Sequence, residues 1–592
     1  MWPDFAPMGE RLRDYGILSA VMHNPIAPQE PWFAGFPLNY YLNWYRIAAL
    51  VGAIGFAPWE IYHLLGPATM GLGIAASALL IVTWARVTPL LGSLIAVSLW
   101  LGSNVAGAIT VYRGDHNWWG PSRVITGSIN EFPAWSWILG DLHPHYLNLC
   151  ALPFILLLTK KLNSWPLLCA LFAWCAWNYS ANAWDAAPAL VVTAVILVSE
   201  LFNNTKKFSI PNIDFKTSLL WLSLGGLFII SSLHIDAPYT PMRFVDWRSS
   251  WQPYFETAAA YLPVTIEPHA PGVFGTQINQ FFLHWGFHLA LLLAGFGLRL
   301  NSWRNALVFA AAILAVCIWD SVALFLLIAA ALVVFFNSDA VLPGSKESLR
   351  SDAVLISCLL ILLIPEILFF DDPYGGESER MNTIFKFYSF AWIPFGISAW
   401  IWLLQSISRQ GLKIRSPLQY GFVAAMLIST LPWTAQTIGD RAQGSVKNSS
   451  LFTPMAQGLA YFERTYPGSE RIIYTLAKSP RGTTIEAENG AYADGAFVST
   501  LASQPTYLGW ANHVGLLLKN PPELGRRQAI IKEFYTSNCE RKLELLRSEG
   551  IKYVVFGEIE RRAFPQLSRD SFSCLAVLIE ERGMAVFQAL VR

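Results

Sequence analysis

The sequence predicts an all-α polytopic membrane bundle of about 12 spans, followed by a small C-terminal soluble α/β domain. Three observations support this. Hydrophobic residues make up 54% of the 592 and charged residues only 14%, where soluble domains carry about 25% charged residues. Apolar runs long enough to cross a bilayer recur as far as residue 434. Beyond residue 435 the chain becomes polar and carries short strand-like runs. The net charge of +1, with no basic stripe, excludes a nucleic-acid partner.

Residues 1–60 read as an outer loop followed by an interfacial helix. The opening "MWPDFAPMGERLRDYG" has no basic region leading into an apolar one, so it is not a signal peptide. The run "NYYLNWYRIAALVGAIG" carries Arg46 and several polar residues in its first half, which suits a helix lying on the membrane surface. The alternative is that this run is itself the first span.

Residues 61–435 form the transmembrane domain, with spans expected near 62–84, 89–111, 145–159, 163–179, 186–202, 217–234, 277–298, 304–319, 321–336, 353–370, 388–405 and 417–434. Lys and Arg collect in alternate connectors, among them "TKK" at 159–161 and 205–207, "GSKESLR" at 344–350 and "SRQGLKIR" at 408–415, which are therefore cytoplasmic. The acid-rich and aromatic-rich connectors then share the outer side. An even number of spans puts both termini outside, which leads us to expect a further span upstream of residue 1.

Residues 436–592 form the extracytoplasmic α/β domain, with strand-like "RIIYTL", "FVSTL" and "IKYVVFG" and helix-like "PELGRRQAIIKEFYTS". Cys539 and Cys574 can pair there if that side is oxidising. The other five cysteines lie in or beside apolar runs and read as packing residues.

The chemistry concentrates in "EFPAWSWILGDLHPHYLN", which places Glu131, Asp141, His143 and His145 between apolar runs. Asp141, His143 and His145 are spaced by two, so an extended backbone would point them the same way, and Pro144 biases His143 toward that geometry. Such a row can hold a divalent cation, clamp a phosphate, or simply cap the next helix. The preceding connector adds Asp115, His116, Trp118, Trp119 and Arg123. Arg123, Arg380 and Lys386 are cations beside acids, suited either to a lipid phosphate or to snorkelling. "DDPYGGESERMNTIFK" holds Asp371, Asp372, Glu377 and Glu379, while Asp185 and Glu366 lie near outer span ends, where charge is often functional. His284 and His288 share a helix face, which more often means packing than ligation. No Walker loop, H-E-x-x-H or G-x-S-x-G is present.

"EPWFAGFPLNYY", "SRVITGSINEFPAWSWILGDLHPH", "NAWD", "RMNTIFKFY", "QPTYLGWANH" and "IKYVVFGEIER" together resemble the YYY-domain family of bacterial and archaeal membrane proteins over nearly the whole chain. That family is similar in turn to the GT-C glycosyltransferases, integral membrane enzymes that use polyprenyl-phosphate sugars at the outer face. The resemblance implies a GT-C-like bundle in the cell membrane with its C-terminal domain outside. It implies hexosyl or pentosyl transfer from a polyprenyl-phosphate donor to a glycan, lipid or protein acceptor. Asp14 becomes the first candidate general base and Glu10 the alternate, with Asp141 as a further catalytic acid. Asp141, His143 and His145 would hold phosphate or a divalent cation, and Arg123, Arg380 and Lys386 the lipid phosphate. Tyr40, Tyr41, Asp115, His116, Trp118, Glu131, Asp185 and Asn382 complete the implied substrate-binding set. Two departures stand out: the tyrosine triplet reads Tyr40–Tyr41–Leu42, and Val514 replaces an acid after the "GWANH" pattern. The alternatives from other classes are a flippase for lipid-linked sugars and a non-catalytic assembly protein.

Overall fold

The computed structural model describes residues 10–160, 162, 164–204, 215–233, 242–246, 266–267, 272–300, 302–319, 321–338, 346–372, 374–410, 415–446 and 458–589. Within them the chain is a multi-pass membrane protein with a small C-terminal domain containing β-strands. The expectation of about 12 spans is corrected. Five described helices are long and apolar enough to cross a membrane: Pro58–Ala85, Ala183–Glu200, Ile278–Gly297, Gly376–Arg409 and Pro417–Asp440. A sixth span is obtained if Pro89–Leu101 and Val105–Tyr112, bent by 80°, count as one.

Four of the expected spans fall short in length. The apolar helices Pro144–Thr159, Lys216–Ser232, Trp303–Val316 and Val322–Phe336 have 17 residues or fewer, and at about 1.5 Å per residue they fall short of a hydrocarbon core of about 30 Å. The run expected to span 353–370 forms the helix Lys346–Ile367 and then turns into a strand. The run at 89–111 breaks because Asn104 caps a new helix, its side chain accepting from the Gly107 N–H. The Asn43–Gly52 helix has ten residues, too few to cross. It buries Asn43, Trp44, Tyr45 and Ala48 and exposes Leu50. The basic connector at 205–207 and most of the 235–276 loop lie outside the described residues.

Met381–Arg409 is the central helix. Nearly every side chain from Thr383 to Ile407 is buried, as expected of a helix that is apolar all round. It packs against Ile278–Gly297, Lys346–Ile367 and Pro58–Ala85. Gly295 lets it approach closely, since a Cβ there would lie 2.3 Å from Trp402.

Two small open sheets flank the bundle. Strands β1 (Met242–Phe244), β2 (Ile266–Glu267) and β3 (Leu368–Phe370) run in the order β2-β1-β3. Strands β4 (Thr483–Ile485), β5 (Ile551–Phe556), β6 (Ala576–Glu581) and β7 (Met584–Gln588) run in the order β4-β5-β7-β6. Two runs expected as strands are helical: "RIIYTL" lies in Ser469–Ala477 and "FVSTL" forms Phe497–Leu501. In the first, Ile472, Ile473 and Leu476 recur at helical spacing and are all buried. Cys539 and Cys574 form a disulfide.

The N-terminal segment is clasped to the C-terminal region. The Thr506 and Gly509 N–H groups donate to Pro31 and Trp32, and the Ala34 N–H donates to Thr506. The Trp32 and Trp510 rings stack 4.4 Å apart, and the Trp32 indole donates to Thr500.

Candidate functional site

The helix Arg11–His23 carries charge where a buried helix usually carries none. Leu12, Tyr15, Ile17, Leu18 and Val21 anchor it, and Arg11, Arg13 and Asp14 are drawn inside with them. Buried charges need partners. The Arg13 guanidinium donates to Asp14 Oδ1 at 2.6 and 3.0 Å and pairs with Glu10 at 2.5 Å. The Tyr45 hydroxyl lies 3.4 Å from the same Asp14 oxygen and donates to the Leu142 carbonyl. Asp14 Oδ2 is buried with no hydrogen-bond partner among the described residues. Burial pushes the Asp14 carboxyl up to about 7, against the pull of Arg13.

The 131–145 block meets this helix directly. Asp141 accepts the Glu10 backbone N–H at 3.0 Å, with Arg11 3.8 Å away. Burial, reinforced by Asp14, raises the Asp141 carboxyl well above the carboxylate range. The row at 141–145 does not stay extended, because Pro144 opens a helical turn, Pro144–Leu147, and His143 caps it. His143 Nε2 lies 3.1 Å from Glu10 Oε2, and its Nδ1 lies 2.6 Å from His145 Nδ1. Burial lowers the His143 pKa, with Lys386 next in effect, so the ring is neutral near pH 7. One tautomer set then satisfies both contacts. His143 carries its proton on Nε2 and donates to Glu10, and its bare Nδ1 accepts from His145 Nδ1–H. His145 Nε2 is left unprotonated, 3.8 Å from Glu131. Glu131 accepts from the Ser136 hydroxyl at 2.8 Å, and burial raises its carboxyl.

Lys386 enters from the central helix. Its ammonium sits 3.2 Å from His145 Nδ1 and 4.0 Å from the Phe385 ring centre. With His145 Nδ1 acting as a donor, that contact supplies no acceptor. Among the described residues no carboxylate lies within ion-pair distance of Lys386, although only 4% of the residue is exposed.

Other sequence-selected residues lie around or apart from this cluster. Asp185 accepts from Asn148 at 2.6 Å, and Asn148 in turn accepts from Trp44 and Trp177. The Tyr40 ring lies beneath Arg13 at 5.4 Å and 5.0 Å from Tyr41. Arg380 is held by the Pro365 carbonyl and Thr276 and lies 3.6 Å from Glu366, and Asn382 binds Asp372. Arg123 lies over Trp119 at 4.4 Å and donates to Ser122, while Trp118 stacks on Trp135. Asp115 and His116 are exposed, and His116 pairs with Asp440 at 2.7 Å. Among the described residues no group of three or more His, Cys, Asp or Glu side chains is placed to hold a metal ion.

Sequence reading missed Arg13, although it lies between the two acids it joins. It also missed Tyr45, Asn148 and the roof: Tyr492 lies against Arg13 and close to the Trp510 and His513 rings. His513 belongs to the quoted "QPTYLGWANH", but nothing in that motif says that it faces residue 13.

The family model described as "Uncharacterized membrane protein (DUF2298)" matches residues 1–395. No curated protein matches the chain. Two crystal structures of ArnT from Cupriavidus metallidurans align over 98% of this chain and 94% of theirs. The one bound to undecaprenyl phosphate has 13% identity and a TM-score of 0.38. The apo form has 12% identity and a TM-score of 0.40.

Proposed function

For this chain, which belongs to the DUF2298 family of uncharacterised membrane proteins, we propose transfer of a sugar from a polyprenyl-phosphate donor to an acceptor hydroxyl at the outer face of the membrane. The observation that carries the reading is Lys386: a buried ammonium with no counter-carboxylate among the described residues, at the end of an apolar bundle. A buried cation without a partner is costly, and a lipid-linked phosphate supplies both the missing charge and a reason to be in the membrane.

The roles follow from exposure and hydrogen bonding. Glu10 is the proton acceptor, because its side chain is 31% exposed while Asp14 is fully buried. Asp14 is a positioning residue that fixes Arg13 beside Glu10. The acceptor oxygen attacks the anomeric carbon and its proton passes to Glu10. The bond from that carbon to the phosphate oxygen breaks, and polyprenyl phosphate leaves with the electron pair, stabilised by Lys386 and Arg13. Tyr40, Tyr41, Glu131 and Asp185 would contact the sugar. A divalent cation, if the reaction uses one, would have Asp141, His143 and His145 for ligands, which requires the two imidazoles to part.

The test uses purified protein in lipid carrying a radiolabelled polyprenyl-phosphate sugar, with release of lipid phosphate followed with and without divalent cations. Turnover by wild type that is lost in Lys386→Met and Glu10→Gln supports the reading. No turnover by folded protein with a panel of sugars refutes it and favours carriage of lipid-linked sugars.

A further inference from the structure

The C-terminal region holds a polar concavity, of about 530 Å³, lined by Tyr466, Glu488, Asn489, Asp494, Ile559 and Arg562 among others. That volume falls within the range of about 300–1,000 Å³ usual for ligand sites. The transfer chemistry has no use for these residues. The loop that forms one wall is pinned at both ends by buried glutamates. Glu486 accepts the Ser499 N–H at 2.7 Å, and Glu560 accepts the Ala487 N–H at 3.0 Å. Between those anchors the loop carries Asn489 into the cleft and Tyr492 over Arg13. A single short segment therefore touches both the cleft and the cluster around Glu10.

The lining suits a particular chemistry. Asp494 accepts from the Tyr466 hydroxyl and keeps its other oxygen beside Tyr461. Glu488 adds a second carboxylate, Asn489 an amide and Arg562 a cation. Two acids against one cation repel a phosphate. Carboxylate and amide groups beside a guanidinium offer acceptors and donors side by side, which matches a ligand dense in hydroxyl groups.

We propose that this cleft binds the saccharide acceptor and that the 488–494 loop delivers its reacting hydroxyl toward Glu10. The proposal rests on the glycosyl-transfer reading for the acceptor role but not for saccharide binding itself. The experiment probes the full-length protein in detergent against an array of neutral oligosaccharides, beside donor hydrolysis in the same preparation. Asn489→Ala and Arg562→Ala are the working variants, since both side chains are solvent-facing, and an unchanged melting temperature confirms that they fold. The expected result is binding to at least one glycan class, weakened about tenfold in each variant by the loss of one or two hydrogen bonds, with donor hydrolysis unchanged. Binding of no glycan by folded wild type, or equal binding by wild type and both variants, overturns the proposal. Glycan binding without any donor consumption leaves the cleft as a saccharide site and removes the transfer reading.

Discussion

Replacing Asp14 by Asn separates the burial of a charge from its use. The carboxyl ionises at about 7 in the folded protein against an ordinary value of 3.8, because burial costs the anion more than Arg13 returns. A carboxyl raised in this way leaves the folded state binding the extra proton. The destabilisation is absent below about pH 4, grows as pH rises, and is complete above about pH 7. The interval from 3.8 to about 7 corresponds to about 4 kcal/mol, which is the most that Asp14→Asn can restore at pH 8. The new amide nitrogen would occupy the position of Oδ2, which has no partner among the described residues, at a cost of about 1–3 kcal/mol. The variant should therefore melt above wild type at pH 8 by an amount equivalent to about 1–3 kcal/mol, and at or below it at pH 4. Donor turnover should fall through kcat with KM for the acceptor unchanged, because Asp14 acts on Arg13 and does not touch the acceptor. Thermal unfolding in detergent at the two pH values, run beside the turnover assay, checks both. A variant less stable than wild type at pH 8 refutes the buried-charge argument, and unchanged kcat refutes the positioning role.

Glu10→Gln should lower kcat by about 10²–10⁴-fold, the usual worth of a general base, with a modest fall in melting temperature because the buried Arg13 keeps only Asp14 as a carboxylate partner. Lys386→Met, an apolar replacement in a buried position, should hold or raise stability while donor KM rises at least tenfold; unchanged KM in the radiolabel assay would remove the phosphate assignment. Trp32→Ala breaks the stack on Trp510 and should cost about 3–5 kcal/mol, with earlier proteolysis of the C-terminal region as the readout. Gly73→Ala should destabilise by about 1–3 kcal/mol, since its Cβ would lie 2.2 Å from Trp100; an unchanged melting temperature would show that the indole can move.

The polar block at 131–145 was legible because chemistry-bearing residues between apolar runs are anomalous on composition alone. Its meeting with residues 10–14 came from family resemblance, since no periodicity links positions 131 apart. The span count was misread for a physical reason: an apolar run reports burial, and Val322–Phe336 is as apolar as a span while being too short to cross. Arg380 read as a phosphate ligand like Lys386, yet its donors go to Thr276 and a carbonyl. Only packing separates the two. The roof was invisible because backbone pairing between 31–34 and 506–509 leaves no local signature.

The titration of the cluster bears on how a phosphate enters it. Glu10, Asp14, Glu131 and Asp141 outnumber Arg11, Arg13 and Lys386, a balance that would repel an anion if every acid were ionised. Burial raises Asp14, Glu131 and Asp141, so at neutral pH or below part of that negative charge is protonated and the cations prevail. As pH rises through about 7, Asp14 becomes fully anionic. One added charge at an effective dielectric of about 20 weakens the binding of a nearby anion by about 1–2 kcal/mol, close to tenfold in KM. Donor KM should therefore rise between pH 6 and pH 8 in wild type and rise less steeply in Asp14→Asn, where one of the titrating charges never appears. Equal slopes in the two proteins would mean that Asp14 does not set the field that the phosphate meets.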